Sequence, residues 1–278
     1  MLYNNTQGIG VDLVVLHGWG FNSELFNALI DDYKNQYRIT KIDLPGHGRS
    51  ANVDGGLDEW CDEIIKILPK NPILLGWSLG GLLAIKIASK ITISRLILIA
   101  STPSFIQTSS WEFGIDADNF EQFSSALQLN LSKGLKRFIS LQTKDKSKLK
   151  ALNKAIEQYP ATTQALNQGL EILLNTDLNN QFKKLAIPIE VILGKYDTLV
   201  PVKISHWYHQ NNIKTYVLDA GHLPFLHQDF ALPQCLKLSI IRAILNFGET
   251  DECTSGCYYG VKIRLANHEK CSGYSQRT

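Results

Sequence analysis

Apolar residues fall along the chain in two alternating rhythms. Short apolar-rich runs at Leu13–Leu16, Tyr37–Asp43, Ile73–Leu75 and Arg95–Ala100 predict buried strands. Between them, Ser23–Tyr33, Leu57–Leu68 and Leu79–Ser89 show the three- and four-residue spacing of helices. Apolar strands separated by helices predict an α/β fold, with a mostly parallel central sheet covered by helices on both faces. From about Pro103 to Leu185 the strand rhythm stops. Leu127, Leu131 and Leu135, then Leu149, Leu152 and Ile156, recur at helical spacing, which predicts a helical insertion. Strand runs return at Ile189–Leu193 and Lys214–Leu218, and a last helix fits Leu232–Phe247. The expected organisation is a core in two parts, 1–102 and 187–247, interrupted by a helical cap over 103–186. A tail over 248–278 has little apolar periodicity, and its composition suits disorder.

Composition narrows this picture only a little. Hydrophobic residues make up 44% of the chain and charged residues 19%, an ordinary balance for a folded domain. A formal charge of +2 is too small by itself to imply nucleic-acid binding. The first residues have no basic stretch followed by an apolar one, so no secretory signal is expected. No apolar run is long enough to predict a membrane span. Five cysteines, an odd count, with Cys61 and Cys235 far apart, favour a reduced, cytoplasmic setting over a disulfide framework.

The candidate chemistry sits at predicted strand ends. Gly76-Trp77-Ser78-Leu79-Gly80 has the G-x-S-x-G pattern, directly after one predicted strand and at the start of a helix. Such a turn exposes the Ser78 hydroxyl above the sheet and points the Leu79 N–H at a developing oxyanion. A serine hydroxyl needs a base, and Gly221-His222 follows the run Lys214–Leu218. Asp197 follows Ile189–Leu193, where it would orient the imidazole. Ser78, Asp197 and His222 also stand in the chain order that this kind of site requires. His17-Gly18-Trp19-Gly20 follows the first strong strand, making the Trp19 N–H the candidate second oxyanion donor and its indole a candidate pocket lining. His47, in a glycine-rich loop, is expected on the site wall. His206, His209 and His227 lack a strand-end context and are expected to be ordinary exposed side chains, and His268 lies in the tail.

Leu16-His17-Gly18-Trp19-Gly20, Asp43-Leu44-Pro45-Gly46-His47-Gly48-Arg49-Ser50, Gly76–Gly81 and Gly221–Phe225 together resemble the α/β hydrolases. Trp19, Trp77, the stretch Arg137–Thr143, Gly169–Leu173 and Asp177-Leu178 make the chain similar to the pimeloyl-[acyl-carrier protein] methyl ester esterase family of biotin synthesis. The resemblance covers about residues 10–247. It implies hydrolysis of the ω-methyl ester of a pimeloyl chain held on acyl carrier protein, with methanol released and no cofactor or metal needed. It also implies substrate contacts from Trp19, Ser78, Leu79, Phe138, Ile139, Ser140, Leu141, Gln142 and His222. The tail has no counterpart in that family. Its Cys253, Cys257, His268 and Cys271 could in principle hold zinc, but their spacing fits no common site, and free thiols are the expected state.

One charge asymmetry bears on the partner. Residues 133–154 carry eight basic side chains and one acid, a charge of +7, which leaves −5 on the rest of the chain. Alone, such a run reads as a solvated helical face. With the resemblance, Lys133, Arg137, Lys146 and Lys150 become a candidate patch for an acidic carrier protein. No aromatic platform accompanies these charges, so nucleic acid is a poorer fit. A monomer is expected. The competing readings are a general short-chain carboxylesterase, which would use the same three residues, and a non-catalytic binding protein of the same fold.

Overall fold

The computed structural model describes residues 1–129, 134–135, 138–140 and 146–233. Its strands are β1 (Asn4–Gln7), β2 (Val11–Leu16), β3 (Tyr37–Ile42), β4 (Ile73–Trp77), β5 (Arg95–Ile99), β6 (Ile189–Gly194) and β7 (Lys214–Leu218). They form one sheet in the order β1-β3-β2-β4-β5-β6-β7. β1 runs antiparallel to β3, and every other neighbouring pair is parallel. The central strands are the predicted apolar runs. Leu13–Leu16, Leu74-Leu75 and Leu96–Ile99 are wholly buried, as a parallel sheet covered on both faces requires.

The order of the strands places the site. From β2 the chain crosses to β3 on one side, whereas from β4 it crosses to β5 on the other. Right-handed crossovers then put α1 (Asn27–Tyr33) and α3 (Leu79–Lys90) on opposite faces. The reversal leaves a crevice beyond the C-terminal ends of β2 and β4, where ligands of open α/β sheets bind. α2 (Leu57–Ile65) lies beside α3, joined by Lys86 and Lys90 to Asp58 at 3.1 and 2.8 Å. It stops short of the predicted Leu68: the Ile67 and Leu68 N–H groups turn to the tighter bonds to Ile64 O and Ile65 O at 3.1 and 3.2 Å, and Pro69 disfavours helical backbone at Leu68. Cys61 of α2 is buried, and burial pushes its thiol up to about 12, so it packs as a small apolar group.

Between β5 and β6 come α4 (Ala117–Leu129), α5 (Lys146–Gln158), α6 (Thr163–Asn175) and α7 (Asn179–Lys183). Among the described residues of this segment there is no strand, only isolated bridges such as Ser104 with Asp177. α6 starts at Thr162, whose hydroxyl accepts the Ala165 N–H at 3.1 Å, and buries Leu166, Leu170 and Leu173 on one face. α8 (Ile204–Gln210) links β6 to β7. Among the described residues, no helix is long and apolar enough to cross a membrane. The expected helix Leu232–Phe247 from residue 234 onward, Cys235 and the tail with its cysteines lie outside the described residues. So do Lys133, Arg137, Leu141 and Gln142, and the side chain of Lys146.

Candidate active site

Ser78 stands between the end of β4 and the start of α3 with φ +54° and ψ −120°, a strained backbone for a residue with a side chain. Two contacts hold the strain in place. The Ser78 N–H donates to Ile99 O at 3.0 Å, and the Ser101 hydroxyl donates to Ser78 O at 2.8 Å. Gly80 lets α3 press against the end of β2, because a side chain there would come within 2.3 Å of the Leu16 carbonyl oxygen. Leu79 at the first turn of α3 is thereby set beside the loop that carries Trp19. Its N–H has no acceptor within the helix.

His222 follows β7, and its Nε2 lies 2.9 Å from Ser78 Oγ. Its Nδ1 lies 2.8 Å from Asp197 Oδ2. Asp197 follows β6, and its other oxygen accepts the N–H groups of Leu199 and Val200 at 2.8 and 3.0 Å, which fixes the carboxylate plane. All three residues are buried. With Nδ1–H directed at the carboxylate, Nε2 has a free lone pair for the serine proton. The arrangement can therefore generate a serine nucleophile and return the proton to a leaving group.

Trp77 contributes a contact that the sequence did not suggest. Its indole N–H donates to the backbone carbonyl of His222 at 2.7 Å, and its ring packs edge-on against Phe21 and Phe225. It thus clamps the loop that carries His222. Trp19 is almost wholly buried, and its indole N–H donates to Leu166 O of α6 at 2.8 Å. Gly169 of α6 permits this, since a side chain there would stand 2.7 Å from the Trp19 ring. Phe138 meets Trp19 edge-on at 5.2 Å and is buried, as is Ile139, whereas Ser140 is exposed. On α5, Leu152 and Ile156 are buried while Lys150 and Lys154 share the exposed face. His206 and His209 are exposed on α8. Among the described residues, no cluster of His, Cys, Asp or Glu is grouped to hold a metal ion.

The expectation for His47 needs correction. It exposes no surface and lies behind the 17–20 loop, packed 5.4 Å from the equally buried His17 and edge-on to Trp60. Burial, with the neighbouring His17 adding to it, pushes His47 down to about 3, only partly offset by a carbonyl hydrogen bond and Asp43. Burial also lowers His17, against the pull of Asp43. Burial alone would raise Asp43, but His17 and hydrogen bonds from Ser23 and Arg49 outweigh it and leave the carboxyl below its usual range. Both imidazoles bind protons more readily in the unfolded chain, near 6.5, than in the folded one. Stability is therefore complete above about pH 6.5 and falls as pH drops below it, as each unfolded-state imidazole takes up a proton that its folded counterpart resists. Urea unfolding between pH 6.5 and 4.5 should show this slope, and His47→Gln should make it shallower. Equal slopes in the two proteins would contradict the assignment.

Comparison with known proteins adds a family context. The family described as alpha/beta hydrolase matches residues 13–232. The pimeloyl-[acyl-carrier protein] methyl ester esterase of Shewanella woodyi is 39% identical over 241 residues, covering 82% of this chain and 93% of that protein. The protein of the same name from Pseudoalteromonas atlantica is 34% identical over 247 residues, covering 83% and 95%. Among solved structures, an esterase from Exiguobacterium antarcticum superposes with a TM-score of 0.74 at 21% identity, over 88% of this chain and 94% of that one. A bromoperoxidase from Bacillus anthracis gives 0.73 at 18% identity over the same shares. Identities this low speak for the fold alone.

Proposed function

Because the chain belongs to the alpha/beta hydrolase family and, within it, to the pimeloyl-[acyl-carrier protein] methyl ester esterases, we propose that it hydrolyses the ω-methyl ester of pimeloyl-acyl carrier protein. Ser78 Oγ attacks the ester carbonyl while His222 Nε2 takes its proton. Asp197 steadies the imidazolium, and the N–H groups of Leu79 and Trp19 receive the oxyanion. The protonated His222 then gives its proton to the departing methoxide, and methanol leaves. Water, activated by the same imidazole, releases the free carboxylate from Ser78. The observation that carries this reading is the hydrogen-bonded line Ser78–His222–Asp197, at 2.9 and 2.8 Å, in a chain whose relatives bear that esterase name. No step needs a cofactor. The decisive genetic test is growth without biotin. The gene should rescue a strain that lacks its own such esterase, and the Ser78→Ala form should not. Rescue by both forms would contradict the proposal.

In this reading residues 103–186 act as a cap between the carrier and Ser78. Trp19, Phe138, Ile139, Ser140, Leu141 and Gln142 contact the acyl chain, while Lys133, Arg137, Lys146 and Lys150 face the acidic carrier. The exposed Lys150 and Lys154, set over buried Leu152 and Ile156, support an outward basic face. Exposed charges steer encounter and are screened over about 8 Å at physiological salt. Replacing Lys146 and Lys150 by Glu should raise KM for the carrier-bound ester about tenfold and leave a small free ester unchanged. Added salt should act like the substitution for the carrier substrate only. Equal losses on both substrates would show that the segment acts through folding. No change on either would favour a general short-chain carboxylesterase.

A further inference from the structure

His17 and His47 are fully buried outside the Ser78–His222–Asp197 line, and each reaches across to the other's loop. The Leu44 N–H donates to His17 Nε2 at 2.9 Å, and the Gly20 N–H donates to His47 Nε2 at 3.3 Å. A backbone N–H can only donate, so both Nε2 atoms are acceptors and both rings are neutral with the proton on Nδ1. Those Nδ1–H groups in turn donate to Gly18 O at 2.8 Å and Pro45 O at 2.9 Å.

The consequence falls on two successive peptide planes. The Gly18 carbonyl and the Trp19 N–H belong to one trans peptide and point in opposite directions. Anchoring Gly18 O to His17 therefore aims the Trp19 N–H. The next plane, Trp19–Gly20, is anchored through its N–H to His47. Above the loop, the Trp19 side chain is tied to Leu166 O. The two peptide planes on either side of Trp19 are thus each tied to an imidazole, the Gly18 carbonyl also accepting the Phe21 N–H at 3.3 Å, while α6 holds the Trp19 side chain.

We infer that His47, working with His17, is a positioning residue for ester hydrolysis, fixing the Trp19 N–H where the oxyanion forms. The inference rests on the proposed serine mechanism, so the test begins by separating the two. Active sites of wild type, His47→Phe and His47→Gln are titrated with a fluorophosphonate, and turnover of a p-nitrophenyl ester is expressed per titrated serine. Wild type that takes up no label removes the serine mechanism and this inference with it. In a wild type that labels, only the variants decide the role of His47. Phe keeps the ring volume without an acceptor, whereas Gln can offer Oε1 near the place of Nε2. His47→Phe should lose about 30- to 100-fold in kcat per titrated site with KM within about threefold, because an oxyanion donor is misaimed while ground-state binding is kept. A boronic acid that mimics the tetrahedral state should lose affinity by the same factor. His47→Gln should recover to within about fivefold of wild type in kcat. A purely structural role would lower the titratable fraction and the unfolding midpoint but leave kcat per site intact. That result overturns the inference, and so does a Gln variant as slow per site as the Phe variant. Should His47→Phe fail to fold, the Gln variant and its boronate affinity decide alone: near-wild-type values in both support the acceptor role, and losses beyond about tenfold refute it.

Discussion

Ser78→Ala should reduce kcat by at least about 10⁴-fold, and by as much as about 10⁶-fold, on either a free or a carrier-bound ester. The substitution removes Oγ and its 2.9 Å contact with His222 Nε2 and leaves the backbone hydrogen bonds to Ile99 and from Ser101 in place. Alanine is no worse suited than serine to φ +54°, so the turn between β4 and α3 should persist and the protein should fold with an unfolding midpoint close to wild type. The acyl-enzyme cannot form, and only the residual pull of the oxyanion donors on the ester remains. Affinity for the carrier-bound substrate should therefore survive, which separates lost chemistry from lost binding. Retention of more than about a tenth of wild-type kcat would rule out the serine mechanism.

Asp197→Asn should cost about 10⁴-fold in kcat with little change in stability. Oδ1 already accepts the Leu199 and Val200 N–H groups, so an asparagine must keep its carbonyl oxygen there. Its amide nitrogen then faces His222 Nδ1, where the carboxylate oxygen stood at 2.8 Å. Two donors cannot share that contact. Nδ1 becomes the acceptor, the ring proton moves to Nε2, and Nε2 can no longer take the proton of Ser78. Unfolding curves and the rate of fluorophosphonate labelling check this directly. The curve should match wild type while labelling slows in step with kcat. An Asn variant that labels at the wild-type rate would show that Asp197 does not set the tautomer.

The central strands were readable in the sequence because they are buried on both faces and so carry apolar runs, whereas Lys214–Leu218 is a partly exposed edge strand marked by its β-prone Thr215, Tyr216 and Val217. Lys214–Leu218 is found with the bounds predicted for it, and Ile73–Leu75 is extended only to Trp77. β1 escaped notice for the opposite reason. Asn-Asn-Thr-Gln has no apolar rhythm, because an edge strand exposes most of its side chains and is held by backbone pairing with β3. α8 was missed as well, since seven residues with four aromatic or imidazole rings in a row give no helical period. Ser78, Asp197 and His222 could be listed from strand-end positions, and the structure brings them into one hydrogen-bonded line. What supports them was not legible. Trp77 to the His222 carbonyl spans 145 residues, and His47 to the Gly20 amide spans 27. Local pattern does not record which distant backbone group a buried side chain will meet.

Turnover of a methyl ester presented by an acidic carrier is what would set this site apart from that of a general esterase. It is tested most directly by incubating purified protein with pimeloyl-acyl carrier protein methyl ester and following methanol and the demethylated carrier product. Both should be released stoichiometrically, and neither by Ser78→Ala, with kcat/KM for the carrier-bound ester well above that for a free methyl ester and falling towards it as salt is raised. An intact carrier-bound ester, in a preparation that still hydrolyses free short-chain esters, would contradict the proposed function.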